Sequence, residues 1–303
     1  MVKILVIIVG GPSSNNVDVK LAKILGIKHV KLIYKEFPDG ESYIRYPRPE
    51  VIKNEDVVIV QSLYKPQSKH IFELLLAIDA AKDFGAKKVT SVVPYLAYSR
   101  QDKRFLEGEP ISVKTLLKTI KNAGTDYFIT VDIHKEYSLK HFGEEAYNVT
   151  AMGELAKHIK ENVKPVNPIV LAPDKGALVH ARKVAEILGN VDYDYLEKKR
   201  DLITGKIEVR PKELTVKNRD VIIVDDIIST GGTVALAATS VRKQGARKVI
   251  VGCTHALLVG NAREKLSKAK IDYIVATDTV PSEYSKVTVA PAIAEVLKQI
   301  LKI

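Results

Sequence analysis

Residues 221–233 read Val221-Ile222-Ile223-Val224-Asp225-Asp226-Ile227-Ile228-Ser229-Thr230-Gly231-Gly232-Thr233. Four consecutive apolar residues, Val221 to Val224, predict a buried strand. Asp225 and Asp226 stand at its C-terminal end. A short loop, Ser229 to Thr233, follows, and a helical pattern runs from Val234 to Gln244. In open α/β sheets, ligands bind beyond the carboxyl ends of strands. The residue types suit that place. Ser229, Thr230 and Thr233 offer hydroxyls. Gly231 and Gly232 let backbone N–H groups converge on one anion, and the helix N-terminus adds partial positive charge. The pattern predicts a phosphate cradle. Two carboxylates would repel that phosphate, so Asp225 and Asp226 suit sugar hydroxyls, or a Mg2+ ion held largely through water. A cradle beside a reader of paired hydroxyls fits a sugar phosphate such as ribose 5-phosphate.

The rest of the composition sets bounds. A chain of 303 residues predicts one large or two medium domains, and 46% hydrophobic content is ample for a core. No apolar run approaches the ~18 residues of a membrane span. Met1 to Val9 is too short for a signal segment and reads as a first strand. The single cysteine, Cys253, lies in an apolar run and reads as a buried, inert thiol. A cytoplasmic protein is expected. The net charge of +11 invites a nucleic-acid reading. The lysines are spread along the chain, however, with no basic run interleaved with aromatics. A basic balance also suits an enzyme whose ligands carry several phosphates.

The chain echoes itself. Val57-Val58-Ile59-Val60-Gln61-Ser62 parallels Val221-Ile222-Ile223-Val224-Asp225-Asp226, and Phe84-Gly85-Ala86-Lys87-Lys88-Val89 parallels Gln244-Gly245-Ala246-Arg247-Lys248-Val249. A duplicated α/β domain is predicted: mostly parallel sheets flanked by helices, over 1–145 and 146–290. The terminal helix, 291–303, is expected on the first domain. Gln61-Ser62 replaces the aspartate pair, and Leu63-Tyr64-Lys65-Pro66 replaces the cradle. The first copy is therefore free to serve another ligand or to hold subunits together.

Five further stretches carry chemistry. Val30 to Tyr34 reads as a strand leading to the turn Phe37-Pro38-Asp39-Gly40-Glu41-Ser42, where Phe37 could stack on a base and Asp39 or Glu41 accept from an exocyclic amine. Strand Val89 to Val93 leads to a loop whose Arg100, Lys103 and Arg104 could clamp a polyphosphate. Strand Tyr127 to Val131 ends in Asp132-Ile133-His134. Residues two apart in a strand share a face, so the pair could hold a divalent metal or a phosphate, or be structural. Glu144 to Asn148 reads as the crossing between domains. Ile169 to Ala172 is a strand ending in Asp174, a metal-ligand candidate. Glu197 to Lys206 reads as a charged loop able to close over a polyphosphate.

Together these residues resemble the ribose-phosphate diphosphokinases, the phosphoribosyl diphosphate (PRPP) synthetases, nearly end to end. Four motifs match in order: Phe37-Pro38-Asp39-Gly40-Glu41, Tyr98-Ser99-Arg100-Gln101-Asp102-Lys103, Asp132-Ile133-His134, and Val224 to Thr233. The resemblance implies tandem phosphoribosyltransferase-like domains and the reaction ATP + D-ribose 5-phosphate → AMP + PRPP, with Mg2+. It implies adenine recognition by the stretch Phe37, Asp39, Gly40 and Glu41, acting on the ATP of a neighbouring subunit. It implies ATP binding by Arg100 and Gln101, with Asp102 in support, metal positions at His134 and Asp174, and catalytic cations at Lys198 and Arg200. Asp225, Asp226 and Ser229 to Thr233, with Arg200, would hold ribose 5-phosphate. A homodimer or larger homo-oligomer follows, with no nucleic-acid or membrane partner. Ser229 stands where many members have Asp, Asp174-Lys175-Gly176-Ala177 lacks a second Gly, and Arg104 to Gly108 is less basic than in many bacterial members. A PRPP-consuming phosphoribosyltransferase would share only the 224–233 motif. A non-catalytic regulatory relative would have lost cations or metal ligands that this chain keeps.

Overall fold

The computed structural model describes residues 5–200, 207–211 and 215–303, with 198–200 and 207–211 described by backbone alone. In chain order the first unit contains β1 (Val6–Gly10), α1 (Val17–Leu25), β2 (Lys28–Lys31), β3 (Ile33–Glu36), β4 (Ser42–Arg45), β5 (Asp56–Val60), α2 (Gln67–Asp83), β6 (Lys88–Val93), α3 (Ser112–Asn122), β7 (Tyr127–Val131) and β8 (Ala146–Val149). The second contains α4 (Met152–Asn162), β9 (Ile169–Ala172), α5 (Leu178–Ile187), β10 (Asp192–Arg200), β11 (Ile207–Pro211), β12 (Asp220–Ile228), α6 (Gly232–Lys243), β13 (Lys248–Ala256), α7 (Ala262–Lys268), β14 (Tyr273–Thr277) and β15 (Ser285–Val287). A last helix, α8 (Ala290–Leu301), belongs to the first unit, which runs to Thr150 and resumes at Thr288; the second is Ala151–Val287.

The first sheet is parallel in the order β2-β1-β5-β6-β7-β8. The second runs β11-β10-β9-β12-β13-β14-β15, parallel except for the β10–β11 hairpin. Removing β11 makes the two orders identical position by position, as the sequence repeat predicted. Continuous apolar runs form the central strands because both faces are covered. In the second sheet Val221 and Ile223 face a core with Val234, Ala237 and Val241 of α6, while Ile222 and Val224 face one with Leu155 and Ile159 of α4 and Val184 of α5. Alternate side chains thus feed opposite layers. Helix α8 packs on α1 and β8 in the first unit, just as α4 packs on α5 and β15 in the second. The last helix therefore supplies to the first copy what the linking helix supplies to the second.

Three expectations change. The strand expected over Val30 to Tyr34 is two: β2 ends at Lys31, and Leu32, buried, donates its N–H to Gly10 C=O at 3.0 Å. That bond turns the chain out of the sheet into the antiparallel hairpin β3–β4. The expected crossing at Glu144 to Asn148 is largely β8, the sheet's edge strand, so the change of unit comes at Thr150 rather than at 145. The charged segment expected to start a loop at Glu197 is still strand, with Glu197 opposite Arg210, Lys198 opposite Val209 and Arg200 opposite Ile207. Residues 201–206 of that loop lie outside the described residues.

Candidate functional site

In the second unit β12 pairs with the short strand β9 only through Val221 to Ile223, but with β13 up to Ile228. Its last residues, from Asp225 on, therefore project past the sheet's carboxyl edge with one flank open. The Asp225 carboxylate accepts from Asp226 N–H at 3.0 Å, and Asp226 accepts from Ile227 N–H at 2.9 Å. Burial, then the neighbouring charge and hydrogen bond of Asp226, then the charge of Asp174, push the Asp225 carboxyl well above the usual range. The exposed Asp174 follows β9 and caps its own turn, accepting from Gly176 N–H at 2.8 Å. Three carboxylates thus gather at the ends of the neighbouring strands β9 and β12, an arrangement that favours a cation or hydroxyl donors.

Beyond them the chain bends into α6. Ser229 C=O accepts from Val259 N–H at 3.1 Å, and Ile228 C=O accepts from Leu257 and Leu258 N–H at 3.0 and 3.2 Å, so the 257–259 segment backs the loop. Gly231 caps α6 at φ 71°, where a Cβ would lie 3.2 Å from Ala262 C=O. Only glycine adopts that turn and that approach without strain. A Cβ on Gly232 would meet nothing within 4 Å. Thr230, Gly232 and Thr233 are exposed. The first turn of α6 carries no acidic residue and its N-cap makes no side-chain hydrogen bond. The first N–H groups of a helix have no intrahelical partner, which is what an anion site uses. The predicted cradle residues are brought together here. Helix α6 starts two residues earlier than the pattern suggested, so Thr233 sits within its first turn.

In the first unit the predicted base-contacting turn is the tip of β3–β4. Phe37 N–H donates to Glu41 C=O and Gly40 N–H to Phe37 C=O, each at 2.8 Å, and Asp39 accepts from Glu41 N–H at 3.2 Å. Gly40 takes φ 92° to close it. Phe37 packs edge-on against Tyr43, with Lys35 4.7 Å from its ring centre. Phe37, Asp39 and Glu41 are all exposed.

After β6, a cavity of about 490 Å3 is lined by Tyr95, Tyr98, Arg100, Gln101 and Phe105. Gln101 is held by Ser112, whose hydroxyl donates at 2.7 Å, and the buried Asp102 accepts from the Tyr137 hydroxyl. The expected three-cation clamp does not assemble. Arg104 turns back, donating from Nε to Glu109 C=O at 2.8 Å, and Lys103 lies over the Phe105 ring. Glu109 closes this turn by accepting from Phe105 and Leu106 N–H. Only Arg100 of the three lines the cavity.

At the end of β7 the buried Asp132 has φ 38°, its N–H bonded to Val149 C=O at 2.8 Å, and Ile133 N–H donates to Asn148 Oδ1 at 3.0 Å. The left-handed turn removes the strand alternation on which the pairing of Asp132 with His134 was argued. His134 is half-buried beyond it. Lys198 and Arg200 lie in β10, the strand that carries the backbone of the expected catalytic segment. Sequence reasoning missed Tyr98, Tyr137 and a buried polar cluster at the ends of β13 and β14, where His255 Nδ1 lies 2.8 Å from Thr279 Oγ1. Thr277-Asp278-Thr279, polar residues ending an apolar strand, was the available signal for the last.

Comparison with known proteins fits this geometry. The model of the N-terminal domain of ribose phosphate pyrophosphokinase matches residues 6–124, and that of the phosphoribosyl transferase domain matches 145–291. The chain is 49% identical to ribose-phosphate pyrophosphokinase of Sulfurisphaera tokodaii, across 95% of this chain and 99% of that protein. The chain belongs to the ribose-phosphate pyrophosphokinase family. The Sulfolobus acidocaldarius ribose-phosphate pyrophosphokinase is 45% identical, across 97% of this chain and all of that protein. The crystal structure of phosphoribosylpyrophosphate synthetase from Mycobacterium smegmatis superposes with a TM-score of 0.86 at 28% identity, covering 98% of this chain and 99% of that one. Both halves of the pyrophosphokinase fold are thus matched, and in order.

Proposed function

We propose that the chain transfers the β,γ-diphosphoryl group of ATP to the anomeric hydroxyl of D-ribose 5-phosphate, giving PRPP and AMP. The observation that carries this reading is the uncapped start of α6 directly beyond the Asp225–Asp226 pair. That pairing of an anion site with hydroxyl acceptors matches a phosphorylated sugar. Ser229 to Thr233 bind the 5-phosphate. Asp225 and Asp226 accept from the ribose hydroxyls and so orient the sugar. Phe37 stacks on adenine, and Asp39 or Glu41 accepts from its amino group, with Gly40 setting the turn. Arg100 and Gln101 bind the ATP phosphates, and Asp102, held by Tyr137, supports them.

The anomeric oxygen attacks the β-phosphorus, the bond from that phosphorus to the α,β-bridging oxygen breaks, and AMP leaves with that oxygen. The proton of the attacking hydroxyl is released. Such transfer depends on positioning and charge stabilisation. Lys198 and Arg200 stabilise the charge that builds on the β-phosphate, and closure of their hairpin excludes water.

The site chemistry fits Mg2+. Burial first, and then the charges of Asp226 and Asp174, raise the Asp225 carboxyl, and the hard oxygen donors gathered there suit this ion. Among the described residues no group of three ligating side chains forms a cage. His134 in the first unit and Asp174 in the second are the metal positions of this reading, each of which would rely on substrate oxygens and water to complete a shell. When bound, Mg2+ neutralises charge on the transferring phosphates.

Mixing the protein with ATP, ribose 5-phosphate and Mg2+ and following products by chromatography tests the reading. AMP and PRPP in equal amounts, dependent on all three, are expected. ADP would mean a plain kinase. No turnover with retained PRPP binding would point to a PRPP-consuming transferase or a non-catalytic relative. The cations and metal positions retained by the chain weigh against the latter. We also read the protein as a cytoplasmic homodimer or larger homo-oligomer, with the Phe37 tip serving a neighbour's ATP. No helix among the described residues is long and apolar enough to cross a membrane. A fully active monomer in light scattering would overturn the assembly reading.

A further inference from the structure

The hairpin β3–β4 stands clear of its unit: every residue of β3 is exposed. Three side-chain links join it and its C-terminal continuation to α2. Lys69 pairs with Glu36 at the surface, Tyr46 donates to Ala77 C=O at 2.8 Å, and Ser42 donates to Glu73 at 3.4 Å. The ion pair is solvent-screened and contributes at most about 1 kcal/mol. Tyr46 acts beyond the end of β4. Ser42, by contrast, stands opposite Glu36 in the last pair before the Phe37–Glu41 tip.

Glu73 is 2% exposed. Its second oxygen accepts from Gln61 Nε2 at 3.3 Å. Gln61 cannot turn its amide around without loss. Its oxygen accepts from Ser13 N–H at 3.0 Å, and its nitrogen also reaches His70 C=O at 3.3 Å. The donor side is therefore fixed toward Glu73. Gln61 occupies the repeat position that is Asp225 in the second unit. The strand end that reads sugar hydroxyls in one copy is wired, in the other, through Glu73 to the hairpin.

We propose that Glu73 is a positioning residue, which ties β4 to the strand end at Gln61 and so presents the Phe37–Glu41 tip to the ATP base in a preset orientation. This rests on the reading of that tip as the adenine contact. A carboxylate fits the role because both of its partners present donors. A glutamine of the same shape also fits, its oxygen accepting from Gln61 and its amide donating to the Ser42 oxygen.

The test combines hydrogen exchange with kinetics. In Glu73→Ala, amide exchange over residues 33–45 should quicken about tenfold, and KM for ATP should rise by a similar factor. The kcat and the KM for ribose 5-phosphate should hold. Glu73→Gln should restore both readouts. Ser42→Ala, which removes only the surface end of the link, should show the same direction even if Glu73→Ala folds poorly. Phe37→Ala should raise KM for ATP without changing exchange in β3 and β4. Unchanged hairpin exchange in Glu73→Ala and Ser42→Ala overturns the tie. Faster exchange with KM for ATP unmoved in both Glu73→Ala and Phe37→Ala overturns the reading of the tip, and with it the positioning role, while leaving the tie to β4 standing.

Discussion

Two strand ends occupy the same place in two copies of one fold and have opposite characters. In the first unit, Gln61 and Ser62 are buried and engaged. Ser62 Oγ accepts from Tyr95 N–H at 3.1 Å, Ser62 C=O accepts from the Ser13 hydroxyl at 2.6 Å, and Leu63 fills the space behind. In the second, carboxylates crowd one another, a left-handed glycine turns the chain, and the helix that follows starts without a side-chain cap. The difference shows what a duplicated sheet preserves. Strand order and helix layers persist, while the edge residues decide whether the position binds a ligand or holds its own chain. Each copy also grows a hairpin from the same edge strand. One is β3–β4 after β2, the other the continuation of β10 into β11. The first ends in an aromatic and two carboxylates, while the second carries Lys198, Lys199 and Arg200 at the end of β10.

Exchanging the strand ends tests this contrast most severely. The double substitution Asp225→Gln with Asp226→Ser gives the second copy the first copy's residues. It should lower kcat/KM by roughly 10^4, as expected when groups aligned on reacting atoms are lost. The fold should survive, because the first unit carries the same pair on the same strand. Near-normal turnover, measured by AMP release, would break the comparison outright.

The hairpins should separate by kinetic constant. On the proposed role, in which their cations act on charge that appears only in the transition state, Lys198→Ala and Arg200→Ala should each lower kcat by roughly 10^2 to 10^3 with little change in KM. Phe37→Ala should instead raise KM for ATP about tenfold, in line with the loss of one base-stacking surface. Steady-state kinetics with both substrates varied decides this. An effect of Lys198→Ala on KM alone would remove the transition-state role.

The sequence made the sheets legible where burial on two faces forced long apolar runs. Val57 to Val60, Ile169 to Ala172 and Val221 to Val224 could belong only to core strands. It was opaque wherever a strand is held by backbone pairing instead. Strand β3 is exposed and β4 largely half-buried, neither with an apolar run, β8 has no apolar run, and the end of β10 is a string of charges. Edge strands of this kind carry little hydrophobic signal. The cradle could be read because glycine and hydroxyl residues have few other uses at that spot. The cation clamp could not, since Glu109 draws the loop back on itself, and five residues of spacing do not announce a turn. Nor could the left-handed Asp132, a conformation that L-residues other than Gly, Asn and Asp rarely take.

The two cradle glycines should answer differently to the same small change. Gly232→Ala places its methyl in open space and exchanges glycine for a better helix former. Thermal stability should hold or rise. If the 5-phosphate occupies that space, KM for ribose 5-phosphate should rise about tenfold as the backbone is kept from the anion. Gly231→Ala meets Ala262 C=O at 3.2 Å in a left-handed turn, and should lose stability by about 1 kcal/mol. A normal KM in Gly232→Ala would move the phosphate elsewhere.

The smallest effect concerns the closed strand end and its dependence on pH. Burial, outweighing Lys69 and the hydrogen bonds from Gln61 and Ser42, raises the Glu73 carboxyl above its ordinary value of 4.5. The folded protein then binds this proton more readily than the unfolded chain. Stability contributed by the group is complete below 4.5 and declines as pH rises through the raised value. Glu73→Gln has no such slope. Its melting temperature relative to the parent protein should climb as pH increases through that window, then level off. The gain should be small, because the carboxylate keeps two hydrogen-bond donors. Thermal melts of the two proteins from acid to neutral pH measure it. The opposite slope, with the parent losing ground on acidification, would mean that Gln61 and Ser42 hold the carboxylate more strongly than burial opposes it. The closed strand end would then be electrostatically satisfied, and its contrast with the crowded carboxylates of the second unit would be sharper still.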